Sequence, residues 1–184
     1  ELAGLYRRMW GGDSEVVPAD PHLRMCVLEY WNKLISRPSY RQPIQPPAQL
    51  AGIRPAELLI APPLDTGGEA ALATVGASEA IEPGGQAHEL IGWALDPSPE
   101  FIRSFAEFAY VSRLHPGHLQ PSMLVAEPNS SPGAEKMMAW LICDPWWLSE
   151  WGEIEHHRHM IKPLAAIPVH MPEYLYGLER GPDA

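Results

Sequence analysis

Ala70-Ala71-Leu72-Ala73-Thr74-Val75, the turn residues Pro83-Gly84-Gly85, and His88-Glu89-Leu90-Ile91-Gly92-Trp93-Ala94-Leu95 decide the fold class. Both flanking runs are short, largely apolar and bounded by glycine and proline, the pattern of strands separated by a turn. Upstream, Leu58-Leu59-Ile60 is a third such run, stopped by Pro62-Pro63 and separated from Ala70 by Thr66-Gly67-Gly68. Runs this close in sequence pair with their neighbours through hairpin-like connections. Directly downstream the periodicity becomes helical. Ser98 is a good N-cap and Pro99 suits the first helical position, so a helix is predicted from Pro99 to about Leu114, ended by His115-Pro116-Gly117. Phe101, Ile102, Phe105, Phe108 and Ala109 make one apolar stripe, which predicts that this helix covers the sheet.

The rest of the chain extends that pattern. Leu23, Val27, Leu28, Trp31, Leu34 and Ile35 recur at helical spacing and predict an amphipathic helix over 22–36, with a strand through Met25–Trp31 as the alternative. Leu2 to Trp10 can form a short helix stopped by Gly11-Gly12. Short strands are expected at Met123–Ala126, Met137–Ile142 and His159–Val169, with a loop over Pro128–Gly133. A last helix can start at Pro172, with Leu175 and Leu178 turned inward and Gly181 at its end. Twenty-one prolines keep helices short, and their density over 37–66 predicts a Pro-rich arm or long loop. Strands, a strong helix, more strands and a last helix describe an α+β fold. Residues 1–184 are expected to form a single domain with a central mixed β-sheet flanked by helices.

The net charge is −10, from 23 acidic and 13 basic residues, which argues against nucleic acid and anionic lipid as partners. It allows a basic protein partner, although most acidic proteins are acidic only for solubility. Cys26 and Cys143 make no disulfide framework and no Cys-rich zinc site, and fit a reducing cytosol. The longest uninterrupted apolar run, Met137–Cys143, is far shorter than the ~20 residues of a membrane span. No signal-peptide pattern opens the sequence, so a cytoplasmic location is expected.

Three constellations bear on chemistry. Gly76-Ala77-Ser78-Glu79-Ala80 is one residue short of a hydrolase nucleophile elbow. That elbow needs a helix after the serine, and Ile81-Glu82-Pro83-Gly84-Gly85 does not supply one; a strand-end turn is the better reading. His156, His157 and His159 form a histidine cluster, and on one strand His157 and His159 would share a face able to hold a metal. A small hydrolase or metal enzyme using Ser78 or these histidines is therefore the alternative function. His88-Glu89 opens like a zinc-protease motif, but the second histidine's place is taken by Gly92. His115 and His118 read as turn caps. No phosphate-cradling glycine loop and no Cys/His dyad is legible, and neither cofactor nor metal is expected. Finally, Trp146, Trp147 and Trp151 lie among Asp144, Glu150, Glu153 and Glu155 in a segment with no base before His156. Such a segment is either a local aromatic satellite core or an aromatic–acidic surface for a basic protein.

The serial order of four stretches resembles the suppressor-of-fused domain family. They are Leu58–Pro63; Leu72-Ala73-Thr74-Val75-Gly76-Ala77-Ser78-Glu79, similar to the family's T-x-G-x-S signature; His88-Glu89-Leu90-Ile91 through Trp93 and the Phe-rich helix to Pro116-Gly117-His118; and Leu141 through Asp144-Pro145 and the Trp/Glu segment to Leu164–Val169 and the Glu173–Gly181 helix. The likeness covers about 57–181. It implies a non-enzymatic α/β protein-binding domain. The eukaryotic member restrains a transcription factor by binding it, and bacterial members are regarded as immunity proteins that neutralise polymorphic toxins. The resemblance carries over no catalytic residue. Thr74, Gly76, Ser78 and Glu89 are expected to be structural, glycine for a tight turn and the hydroxyls for local backbone hydrogen bonds. Trp146, Trp147, Glu150, Trp151, Glu153 and Glu155 are the expected partner-binding residues, and a basic toxin domain the expected partner.

Overall fold

A computed structural model describes residues 21–46, 54–65, 68–80, 87–110, 119–126, 137–148, 150–157 and 159–181. In chain order these form α1 (Pro21–Ile35), β1 (Tyr40–Pro43), β2 (Glu57–Ala61), β3 (Glu69–Val75), a 3₁₀ turn (Ala77–Ala80), β4 (Ala87–Leu95), α2 (Pro99–Phe108), β5 (Met123–Ala126), β6 (Met137–Cys143), β7 (Ile154–His156), β8 (His159–His170) and α3 (Met171–Arg180). The described strands make one mixed sheet in the order β1-β2-β3-β4-β8-β6-β5, with β7 also paired to β8. The fold is α+β, with helices on a central mixed sheet, as the sequence pattern predicts. None of the described helices is long and apolar enough to cross a membrane.

Strands β2, β3 and β4 pair antiparallel in chain order, while β4 and β8 form a parallel pair at the centre. A parallel pair is stable when both its faces are covered. One face carries α1: Leu23, Val27 and Trp31 pack with Leu59, Ala73, Val75, Ile91, Ile161 and Ala165. The opposite face carries α2, where Phe105 and Phe108 join Leu58, Leu72, Leu90, Trp140, Ile142 and Leu164. Ser98 Oγ accepts the Phe101 N–H at 3.2 Å and caps α2. The Phe101, Phe105 and Phe108 rings all lie 5.5–5.6 Å from the fully buried Trp140 indole. Gly92 lets α2 approach this closely, since a Cβ there would stand 2.8 Å from the Phe105 ring.

Several expectations need correction. The helix α2 ends at Phe108, short of Leu114, because the chain turns at Ala109–Tyr110. The buried Tyr110 hydroxyl donates to Ile44 O at 2.8 Å and accepts from Ala56 N at 3.0 Å, tying α2 to the ends of β1 and β2. The arm over 37–66 is not loop throughout: Tyr40–Pro43 pairs with Glu57–Ile60 as the exposed edge strand, where proline is tolerated. In α3, Leu175 and Leu178 are exposed rather than inward, together with Tyr176. The helix seats itself through Gly177, whose missing Cβ would lie 2.7 Å from Leu124, and this line of contact turns the leucines outward. Gly181 does end the helix, with φ +94°.

Strand β8 tolerates Pro163 because that residue falls between the last β7 pair, Ile154↔Ile161, and the first β6 pair, Cys143↔Ala165. The Pro163 carbonyl, free of a ladder partner on that edge, accepts the Trp151 Nε1–H at 3.2 Å. The expected Leu2–Trp10 helix, the Pro83-Gly84-Gly85 turn, the His115–His118 segment and the Pro128–Gly133 loop lie outside the described residues. Because three rings converge on Trp140, Trp140→Ala is expected to cost about 3–5 kcal/mol, read as a fall in the urea midpoint with little change in slope.

Candidate functional site

Two places gather the residues singled out in the sequence: a buried carboxylate site at the open end of the β3–β4 pair, and the surface loop after β6.

The β3–β4 ladder ends at Ala73↔Ile91. One residue on, the Thr74 hydroxyl replaces a backbone carbonyl and accepts the Leu90 N–H at 2.8 Å. Glu89 fills the gap so opened. Its Oε2 accepts from Thr74 Oγ1 at 2.5 Å, and its Oε1 accepts from Gly76 N at 2.9 Å, Ser78 N at 3.0 Å and Ser78 Oγ at 2.6 Å. Gly76, at φ +89°, makes the turn that presents these donors. Thr74, Gly76, Ser78 and Glu89 are thus brought together, but the two hydroxyls serve a buried side chain rather than only the local backbone. Ser78 does lie in a short 3₁₀ turn, Ala77–Ala80, that follows β3 closely, yet it is only 3% exposed and its hydroxyl is engaged by Glu89.

A second layer was not legible in the sequence. Arg24, buried on α1, binds both Glu79 carboxylate oxygens, reaches Glu57 Oε1 at 3.3 Å and donates to Pro55 O at 2.8 Å. Its guanidinium lies against Gly76, where a Cβ would come within 2.8 Å of it. Trp31 Nε1 donates to Thr74 O at 2.7 Å from the same helix. The only sequence signal was an arginine set among Leu23, Val27 and Trp31 on an otherwise apolar helix face. Burial opposes the charge on Arg24, but the bond to Glu79 and the fields of Glu79, Glu57 and Glu89 outweigh it and raise its pKa. Burial pushes the Glu89 carboxyl above the usual carboxylate range, against the pull of its hydrogen bonds from Ser78, Thr74 and Gly76.

The surface loop follows β6. Trp146 is 78% exposed and Trp147 is 41% exposed. They meet edge to face at 5.7 Å, and Trp147 rests on Trp93 at the same distance. Glu150, Glu153 and Glu155 are all exposed. Trp151 differs: it is half-buried, bonded to Pro163 O, with Lys162 Nζ 5.9 Å from its ring centre. The segment lacks bases of its own before His156, but the fold brings two lysines to it. Lys162 pairs with Asp144 at 2.9 Å and Lys33 with Glu150 at 2.9 Å. Gly152 N donates to the Tyr30 hydroxyl at 3.1 Å, so the loop is tied to α1.

The histidines do not line one strand face. His156 ends β7 opposite His159 on β8, and His157 occupies the hairpin turn at φ +53°. Among the described residues, no group of three or more His, Cys, Asp or Glu side chains could hold a metal. The fold makes one pairing that the sequence does not signal: Cys26 Sγ on α1 lies 3.3 Å from His156 Nδ1.

A crystal structure from Neisseria gonorrhoeae FA 1090, named as a candidate homologue of suppressor of fused protein (SUFU), is similar to this chain with a TM-score of 0.67 and 15% sequence identity. The match covers 88% of this chain and 85% of that one, which shows a shared fold. No family model matches the sequence, and no curated protein matches it.

Removing the Glu89 side chain strands four donors, so Glu89→Ala is expected to cost about 3 kcal/mol or more, whereas Glu89→Gln, which keeps an acceptor, costs about 1 kcal/mol. The raised carboxyl also fixes a sign. Its contribution to stability is full below the unfolded-state pKa and is lost as the pH rises through the folded value. Urea midpoints measured across that range should show a downward slope that Glu89→Gln flattens. Gly76→Ala combines a left-handed φ with contact against Arg24, and the expected loss is about 2 kcal/mol or more in the same assay.

Proposed function

We propose that this protein is a non-enzymatic binding domain whose partner-facing surface is the loop carrying Trp146 and Trp147. The supporting observation is the pair of exposed indoles, stacked edge to face and braced from below by Trp93. Exposed tryptophans cost solubility in a free protein and act as anchors at interfaces. The loop is held in place by Tyr30, Lys33 and Lys162, so little order has to be gained on binding.

The partner is a basic protein. Glu153 and Glu155 lie exposed beside the indoles in sequence, and the chain as a whole carries −10. Such a charge steers a cationic partner to the surface and speeds association at low salt. In its most specific form the proposal is an immunity protein that occupies the cationic groove of a polymorphic toxin in the cytoplasm. The fold shared with a candidate suppressor-of-fused homologue supports the binding role. Within this reading Trp151 is a structural support, and Glu150 contributes less field than Glu153 and Glu155 because Lys33 neutralises it.

The hydrolase alternative has less support. Ser78 is buried with its hydroxyl bonded to Glu89, and His157 occupies the β7–β8 hairpin turn.

The test first recovers a stoichiometric basic partner by pull-down of tagged protein from its host lysate, read by mass spectrometry, and then compares wild-type protein with Trp146→Ala and Glu153→Ala/Glu155→Ala variants against that partner. Calorimetric titration should give a 1:1 complex. Trp146→Ala should weaken it at least about tenfold without changing the melting temperature, and the acid pair should flatten the salt dependence. Unchanged affinity in all variants sinks the assignment of this surface, and absence of any complex sinks the partner.

A further inference from the structure

We propose that Cys26 and His156 form a nucleophile–base pair that makes Cys26 a covalent modification site for small, uncharged, soft carbon electrophiles. The pair joins residues far apart in sequence. Cys26 lies on α1, His156 ends β7, and Sγ and Nδ1 are 3.3 Å apart, within range of an S–H···N hydrogen bond. Both side chains are half-buried, so the thiol is reachable but sheltered.

The geometry is fixed by packing on each side. β7 is seated on α1 because Ile154 joins the cluster of Leu23, Val27 and Trp31. The His156 ring meets the His157 ring edge to face at 4.3 Å, and the hairpin turn that holds His157 sets that contact. The imidazole is therefore held against the thiol by elements on both sides of it.

The chemistry follows from what a thiol needs. The thiolate is the attacking species, and a base beside the thiol supplies it at the moment of attack. As the Sγ–C bond forms, the bond from carbon to the leaving group breaks, and the leaving group departs with that electron pair. The thiol proton passes to His156 Nδ1. No oxidant or reductant takes part. Exposed Glu29, one turn along α1, and exposed Glu155, next to His156, disfavour anionic reagents, and the half-buried thiol disfavours large ones.

Cys143 is the built-in reference. It is also half-buried and outside any disulfide, but burial, and then Asp144, push its thiol pKa up, and among the described residues no histidine is hydrogen-bonded to it.

The probe is iodoacetamide, limiting in amount, on the full-length native protein, with alkylation at each cysteine followed by peptide mass spectrometry. Cys26 should react at least about tenfold faster than Cys143, and faster in the native protein than in the urea-unfolded chain, although folding half-buries it. His156→Gln should slow Cys26 about tenfold and leave Cys143 unchanged. Native Cys26 reacting more slowly than unfolded Cys26 overturns the proposal without reference to any variant. So does a His156→Gln protein that keeps its native circular dichroism and an undiminished Cys26 rate.

Discussion

The Glu89 carboxylate, sealed between β3 and β4, is the interaction on which the rest of the arrangement depends. A buried carboxyl is tolerable only if its oxygens are fully engaged. Thr74, Gly76 and Ser78 engage them with two backbone and two hydroxyl donors. To do so the chain must leave the β3 ladder early, turn at a positive-φ glycine and coil once through Ala77–Ala80. The turn in turn receives Arg24 from α1, and Arg24 reaches Glu79 and Glu57. One carboxylate thus fixes where β3 ends, which way the chain leaves it, and how α1 lies on the sheet.

From that anchor, α1 organises the face it covers. Its apolar side lies on β3, β4 and β8, and its flank carries Cys26, Tyr30 and Lys33. Cys26 meets β7, Tyr30 meets Gly152 and Lys33 meets Glu150. The loop after β6 is held along this flank, while Trp151 closes over the Pro163 carbonyl at the point where β8 has no strand partner on that edge. What remains outside is Trp146 and Trp147, propped on Trp93 from the end of β4. The exposed indoles are therefore a consequence of how thoroughly their neighbours are tied down.

The opposite face follows simpler rules. Gly92 brings α2 down onto the sheet, and its phenylalanines surround Trp140. α3 docks by a glycine as well, Gly177 against Leu124, leaving Leu175, Tyr176 and Leu178 in solvent. The same small-residue device buries one helix's stripe and exposes another's. The difference is length of contact: α2 lies across strands buried on both faces, whereas α3 touches the sheet beside its β5 edge.

Local pattern and turn chemistry by themselves determined the strands at 58–60, 70–75 and 88–95, the capped helix at Pro99 with its phenylalanine stripe, and the α+β class. These depend on spacing and caps, which are properties of neighbouring residues. The Thr74, Gly76, Ser78 and Glu89 set was also visible as a motif, though not what its members bind. The helix over 22–36, the strands at 123–126, 137–142 and 159–169 and the last helix were legible in the same way. Tertiary structure alone decided how these elements pair and pack. Pairing at Tyr40–Pro43 needed β2 beside it, the outward turn of Leu175 and Leu178 needed Leu124 under Gly177, and the lysines beside Asp144 and Glu150 came from β8 and α1. The Arg24 network and the Cys26–His156 contact likewise join residues 55 and 130 positions apart. Such contacts are set by which elements pack together, and no local period or composition encodes that distance.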